Sequence, residues 1–240
     1  MVRASCLHKV YLTQAELAVI MKIFTIGHSN HTIETFIELL HQHQVTALAD
    51  VRSSPYSRRF PQFNQSALKT ALKTANIAYV PLGDKLGARP RDRDCYINGM
   101  ARYDLIAATE AFKIGLNRLI QGSEKYQISL MCAEQDPIVC HRAILICPHL
   151  KNAGLEIHHI HKNGDLESNE DLENRVLKQN NLYKLSKLSA DFQSHVKQLS
   201  LFDLQPIQTL EKPLSRAELV EKAYQLQSEK VAYTETTDDD

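Results

Sequence analysis

The stretch MKIFTIGHSNHTIETFIELLHQHQVTALADVRSSP, residues 21–55, decides the fold class. Residues 23–26 are a β-rich apolar run of strand length, and the polar Gly27-His28-Ser29-Asn30 follows it. Thr32 stands where a helix N-cap belongs, and Ile33, Phe36, Ile37 and Leu40 recur at the i, i+3, i+4, i+7 spacing of one buried helical face. Residues 47–51 form a second apolar run. After it, Pro55 forces the chain beyond Arg52-Ser53-Ser54 into an extended or turn conformation.

The same alternation continues along the chain. Leu68, Ala71, Leu72 and Ala75 mark a helix face, residues 77–80 a third strand, and a loop carrying Gly83, Gly87 and Pro90 follows. Leu105, Ala108, Phe112, Leu116 and Leu119 predict one longer helix ending near Gly122. Residues 127–132 read as a fourth strand, 140–152 as a helix kinked at Pro148 and ended by Gly154, and 156–161 as a fifth strand. The expected fold is α/β: a mainly parallel sheet with helices on both faces, a Rossmann-like three-layer arrangement. Ligands of such sheets bind outside the C-terminal strand ends. This domain is expected over 21–166, preceded by an extension (1–20) of doubtful relevance, because Met21 opens the first strong strand. Residues 167–202 read as a helical extension and 203–240 as a polar, flexible tail with an acidic end.

Lys and Arg together number 28, as do Asp and Glu, so no global field draws the chain to nucleic acid, and any such contact is local. The five cysteines (Cys6, Cys95, Cys132, Cys140 and Cys147) are odd in number and widely spread, which fits a reducing compartment rather than a disulfide scaffold. No apolar run reaches the roughly 20 residues that span a bilayer. Thr13, Gln14 and Glu16 interrupt what would be the apolar core of a signal peptide. A cytoplasmic protein without membrane contact is expected.

Chemistry concentrates after the fourth strand, in MCAEQDPIVCHR, residues 131–142. If Cys140, His141 and Arg142 open a helix, its free N–H groups favour an anion, and Arg142 is placed to clamp phosphate or carboxylate. The same field lowers the pKa of Cys140, making it a nucleophile or metal ligand. Glu134 and Asp50 are candidate acid/base groups, with Cys132 and His141 beside them; a packing role for the thiols and a capping role for Glu134 are the bland alternatives. Other strand ends supply His28, Ser29 and Arg52, although Asp50 and Arg52 could equally be a structural ion pair. Arg58, Arg59, Lys85 and Arg89 make the flanking loops basic, and Phe60 offers a ring on which a base could stack.

TIGHSN (25–30), ADVRSSPYSRRFPQFN (49–64), LGDKLGARP (82–90), MCAEQDPIVCHR (131–142) and HHI (158–160) together resemble the DUF488 family over about residues 22–165. The pattern CAE-x-x-P-x-x-CHR carries most of the specificity. Leu86-Gly87-Ala88-Arg89 departs from the two consecutive glycines frequent there. The resemblance implies one α/β domain with its polar motifs gathered at one edge. It implies no reaction.

Cys132, Cys140, His141 and His28 suit zinc by type, but the spacing matches no C-x-x-C pair. It also lacks the second half of the H-x-E…P-C-x-x-C deaminase pattern, so no metal is assigned. Cys and Arg do not bracket five residues as in phosphocysteine phosphatases. The absence of G-x-G-x-x-G and Walker loops argues against a dinucleotide or P-loop nucleotide. In the tail, Gln198-Leu199-Ser200-Leu201-Phe202 resembles at all five positions the pentapeptide that docks bacterial proteins on the sliding clamp. Leu201 and Phe202 would fill an apolar pocket, while Gln198 bonds at its rim; Leu199 adds a further apolar contact. The expectation is an enzyme acting on a phosphate-bearing, nucleotide or nucleic-acid substrate and brought to DNA by the clamp. A non-catalytic ligand- or protein-binding adaptor, or a thiol or metal enzyme unrelated to DNA, are the alternatives.

Overall fold

The computed structural model describes residues 21–188 and 214–235. The strands are β1 (Lys22–Gly27), β2 (Ala47–Asp50), β3 (Ala78–Pro81), β4 (Tyr96–Ile97), β5 (Met100–Ala101), β6 (Ile128–Cys132), β7 (Glu156–Ile160) and β8 (Leu166–Ser168). The helices are α1 (Ile33–Gln42), α2 (Gln65–Thr74), α3 (Gly83–Leu86), α4 (Tyr103–Ala108), α5 (Glu110–Ser123), α6 (Cys147–Asn152), α7 (Asn169–Gln179) and α8 (Arg216–Val231).

Six strands make one sheet in the order β3-β2-β6-β1-β7-β8. All pairings are parallel except β7 with β8. Side chains alternate across the pleat, and each face buries its own core. Phe24, Ile26, Leu48 and Met131 face α1 and α2 through Phe36, Leu40, Leu68 and Leu72. Ile23, Ala49, Leu130 and Cys132 face the opposite layer, which contains Leu86, Phe112, Leu119, Leu150, Val176 and Leu219. The α/β expectation holds, and the expected Thr32 cap is present, its side chain accepting the Thr35 N–H.

Three details differ from the sequence reading. The single helix expected through residues 105–119 is two, because Thr109 ends α4 and caps α5 by accepting the Phe112 N–H on Oγ1. The Cys140 backbone is extended (φ −129°, ψ 136°), so the helical run begins at His141, one residue later than expected. That run opens as a π-helix over Arg142–Ile146, with the Cys147 N–H bonded to the Arg142 carbonyl five residues back. This wide turn comes just before Pro148, whose ring and missing N–H are poorly suited to a regular α-helical turn.

The sheet does not stop at 166. β8 continues it to Ser168, and α7 follows with Leu172, Val176 and Leu177 buried. Residues 216–231, expected within a polar tail, form α8, opened by a full capping box of Ser215 and Glu218. It buries Leu219, Ala223, Tyr224 and Gln227, and Gln227 Nε2 donates to the Ile138 carbonyl at 3.0 Å. Among the described residues, no helix is long and apolar enough to cross a membrane.

Candidate functional site

Strands β1, β2 and β6 end level with one another, Gly27 lying opposite Cys132 and Asp50 opposite Met131. Their following loops therefore converge on one edge. The β1 and β6 loops are joined by backbone, the His28 N–H reaching the Cys132 carbonyl at 2.9 Å and the Ser29 N–H the Ala133 carbonyl at 3.0 Å. The approach is so close that a Cβ on Gly27 would stand 1.9 Å from the Glu134 carbonyl oxygen. Ser29 holds a left-handed backbone (φ 46°) at this junction, an uncommon conformation for a residue with a side chain.

Two polar groups lie at this edge. In the first, Arg52 forks onto Asp50, with Nε to Oδ1 at 2.9 Å and Nη2 to Oδ2 at 2.6 Å. Nη2 also donates to the Phe63 carbonyl at 2.9 Å, and Tyr79 donates its hydroxyl to Asp50 at 2.9 Å. Desolvation first, and then the Asp50 charge, push the Tyr79 phenol well above its ordinary range. The His28 ring stacks on Phe63 with centroids 4.4 Å apart. Burial, reinforced by the Arg52 charge, lowers its pKa to about 4, so the ring is neutral at physiological pH.

The second group is Cys132, Glu134, Cys140 and His141. Cys140 Sγ donates to Glu134 Oε2 at 3.0 Å, and His141 Nδ1 lies 3.6 Å from Cys132 Sγ and 3.9 Å from Cys140 Sγ. His141 Nε2 is 3.0 Å from the Val51 carbonyl, which can only accept. Nε2 therefore carries a proton, and Nδ1 is the ring atom turned toward both sulfurs. Burial and the neighbouring Cys140 hold the Cys132 thiol well above its ordinary pKa. Burial also opposes ionisation of Cys140, but the hydrogen bond with Cys132 and the Arg142 charge outweigh it, so Cys140 is the thiol that ionises. Desolvation and the charge of Cys140 raise the Glu134 carboxyl.

Arg142 lies beneath the loop that joins these groups, and its placement corrects the expected anion clamp. Its side chain is fully buried. Nη1 donates to the Glu134 carbonyl at 2.7 Å, Nη2 to the Gln135 carbonyl at 3.0 Å and Nε to Thr25 Oγ1 at 3.4 Å. Its donors are committed to the protein's own loop, so it positions Glu134 rather than meeting a ligand. From outside, Arg175 holds the same loop through Nη2, which donates to both carboxylate oxygens of Asp136 at 2.6 and 2.8 Å.

Two clefts open on this edge. The larger, about 640 Å³, is lined by His28, Ser29, Arg52, Arg59, Phe60, Glu134 and Lys162, among others. The smaller, about 340 Å³, has Arg52, Arg89, Tyr103, Cys132, Glu134 and His141 in its walls. Arg52 and Glu134 belong to both. Arg89 is held over the Tyr233 ring at 4.2 Å. Asp50 and Cys140 lie behind the lining, Lys85 pairs with Asp84 outside it, and Arg58 lines neither cleft. His28 is in the first polar group and not among the clustered ligand atoms, so Glu134 replaces it in the set of metal-capable residues. Lys162, Tyr103, Tyr233 and Arg175 were not singled out from sequence, since each stands in a segment without a distinguishing pattern. The segment Gln198–Phe202 lies outside the described residues.

Behind the site, Thr25 Oγ1 is also 2.8 Å from His159 Nδ1, within a buried polar row that continues to Asn169. Burial first, then the Arg142 charge, lower the His159 pKa to about 3. The unfolded chain binds this proton from about pH 6.5 downward, the folded one only near 3. Stability should therefore fall as pH drops through that window, by about 2–3 kcal/mol at pH 4.5. Denaturant unfolding at pH 7.5 and 4.5 checks this: His159→Gln should flatten the difference, and an unchanged slope would contradict it.

No curated protein and no solved structure matches the chain. The family model described as Domain of unknown function DUF488 matches residues 32–147, a span that holds β2, β6, both clefted loops after them and the whole Cys132–Arg142 segment. The Asp50–Arg52 and Cys132–Glu134–Cys140–His141 groups both lie inside the matched span.

Proposed function

We propose that this protein is an enzyme acting on a phosphate-bearing substrate of the nucleotide or nucleic-acid class. One observation carries the reading: a guanidinium (Arg52) and a carboxylate (Glu134) stand together on the wall shared by two clefts. The larger cleft adds Arg59 and Lys162 as cations and Phe60 and Tyr56 as rings, a combination suited to a phosphate with an attached base. Arg52, Arg59 and Lys162 bind the anion, Ser29 lines its path, and Glu134 transfers the proton. Arg89 extends the cationic wall into the smaller cleft.

The test is a thermal-shift series with inorganic phosphate and nucleoside mono- and diphosphates, paired with product detection. A ligand at 100 times its Kd should raise Tm by about 5–10 °C. An Arg59→Ala, Lys162→Ala double variant should lose about tenfold in affinity. Glu134→Gln should keep the shift and lose turnover. Stabilisation without product in the wild type would favour a ligand-binding adaptor, and no stabilisation by any phosphate compound would overturn the reading.

The pentapeptide at 198–202 supports recruitment of this enzyme to DNA by a bacterial sliding clamp. Short peptide motifs of this kind bind weakly alone, on the order of micromolar, and act by raising local concentration. Immobilised clamp should capture the full chain, and a Leu201→Ala, Phe202→Ala double variant should escape capture. Equal capture of both would remove the DNA link.

A further inference from the structure

The geometry points to a zinc site of the three-ligand, open-position type, built from Cys132, Cys140 and His141, with Glu134 beside the open position. It deepens the proposed function by supplying a group for the chemistry of the same clefts, and it rests on that reading only for its role, not for its existence.

The ligand atoms of these four residues all lie within 4.8 Å of one another. Zinc bonds of ~2.3 Å to sulfur and ~2.0 Å to imidazole nitrogen set the S–N edge of a tetrahedron at about 3.5 Å. The observed edges from His141 Nδ1, 3.6 Å to Cys132 Sγ and 3.9 Å to Cys140 Sγ, are within a few tenths of an ångström of that value. The shell around the ligands fits as well. His141 already gives its Nε2 proton to a backbone carbonyl, the support that metal-binding histidines characteristically have, and Nδ1 is the ring atom that faces the two sulfurs. The two sulfurs and the ring are buried, so few competing water contacts need be displaced.

Charge also balances. Two thiolates neutralise a divalent ion, and the buried Arg142 guanidinium offsets the Glu134 carboxylate. Sulfur and imidazole together select zinc over magnesium or calcium. Glu134 Oε2 is 3.0 Å from Cys140 Sγ, shorter than a tetrahedral S–O edge, which suits a carboxylate beside the metal more than one bonded to it. Cys132, Glu134 and His141 all line the smaller cleft, so the fourth position opens there. A water bound at that position gives one proton to the Glu134 carboxylate and remains on zinc as hydroxide, next to the cationic wall of Arg52 and Arg89.

The experiment is metal analysis of full-length protein, purified reduced and without chelator, followed by zinc removal and cobalt(II) loading. One zinc per chain is expected, and the cobalt form should show thiolate-to-metal charge transfer with the strong visible bands of a tetrahedral ion. Cys140→Ser and His141→Ala should weaken zinc binding at least about 100-fold, Glu134→Gln should retain it, and Cys95→Ser, a buried thiol elsewhere, should behave as wild type. Should a ligand variant fail to fold, the charge-transfer band of the wild type still reports thiolate ligation directly. Less than about a tenth of an equivalent after zinc reconstitution, or cobalt bound without charge transfer, would overturn the site. Phosphate stabilisation measured on loaded and stripped protein separates the two claims. Phosphate binding without metal sinks only the zinc site, and metal without any phosphate effect sinks only the substrate reading.

Discussion

Replacing Arg142 by methionine is expected to destabilise the protein by about 3–5 kcal/mol, and to release the Glu134–Gln135 loop from its place over β1. The size follows from what the side chain does in a fully buried position. Its three hydrogen bonds satisfy the Glu134 and Gln135 carbonyls and Thr25 Oγ1. Methionine fills similar volume but donates nothing, so polar groups facing the interior lose their partner. The cost of such orphaned acceptors, about 1–3 kcal/mol each, exceeds the net value of the bonds themselves. Arg142→Lys should recover little, because a point-like ammonium cannot span two successive carbonyls and a hydroxyl as the planar fork does. Denaturant titration gives the stability, and amide exchange at residues 133–136 reports the loop. Native protection of that loop in Arg142→Met would show that the guanidinium is not its support. The catalytic consequence is separable: Glu134 would remain chemically intact but lose its fixed distance to Cys140.

Arg142 also shows how far the sequence could be read. Its position, next to Cys140 and His141 after a strand, correctly brings it to the convergent edge of an α/β sheet. Its role was inverted, because spacing alone does not say whether a guanidinium points out to a ligand or in to a carbonyl. The β1, β2 and β6 assignments were legible from short apolar runs, and so was the edge where their loops meet. The Cys140–Asn152 run was legible as helical, but its π-helical opening was not, since spacing alone does not say whether the turn ahead of Pro148 closes over four residues or five. α8 was hidden for a different reason. Its buried residues Leu219, Ala223, Tyr224 and Gln227 include one glutamine, and its apolar face is too sparse to stand out from a polar tail. The metal-capable set was half visible: both thiols and His141 were apparent by type, whereas the inclusion of Glu134 and exclusion of His28 required the way the β1 loop turns its ring onto Phe63.

Asp50→Ala is the companion test on the other polar group, with an expected loss of about 3–5 kcal/mol. Asp50 is 1% exposed and Arg52 6%, so the pair is largely buried, with Asp50 behind the lining and only Arg52 reaching the cleft walls. One carboxylate accepts the Arg52 fork, the Arg52 backbone N–H at 3.2 Å and the Tyr79 hydroxyl. Removing it leaves the Phe63 carbonyl as the remaining hydrogen-bond acceptor of the guanidinium among the described residues. Tyr79→Phe removes a single neutral donor and should cost about 1 kcal/mol, which calibrates the larger effect. Asp50→Asn keeps the shape but not the charge, and should fall between the two. A double variant, Asp50→Ala with Arg52→Met, is the decisive comparison. If the penalty comes from an uncompensated buried charge, the double variant should recover a large part of the stability lost by Asp50→Ala alone. It should nevertheless lose the phosphate-dependent thermal shift, because the guanidinium shared by both clefts is gone. Additive destabilisation in the double variant would mean that the two side chains stabilise the fold independently, and that Asp50 does not hold Arg52 in place for the site.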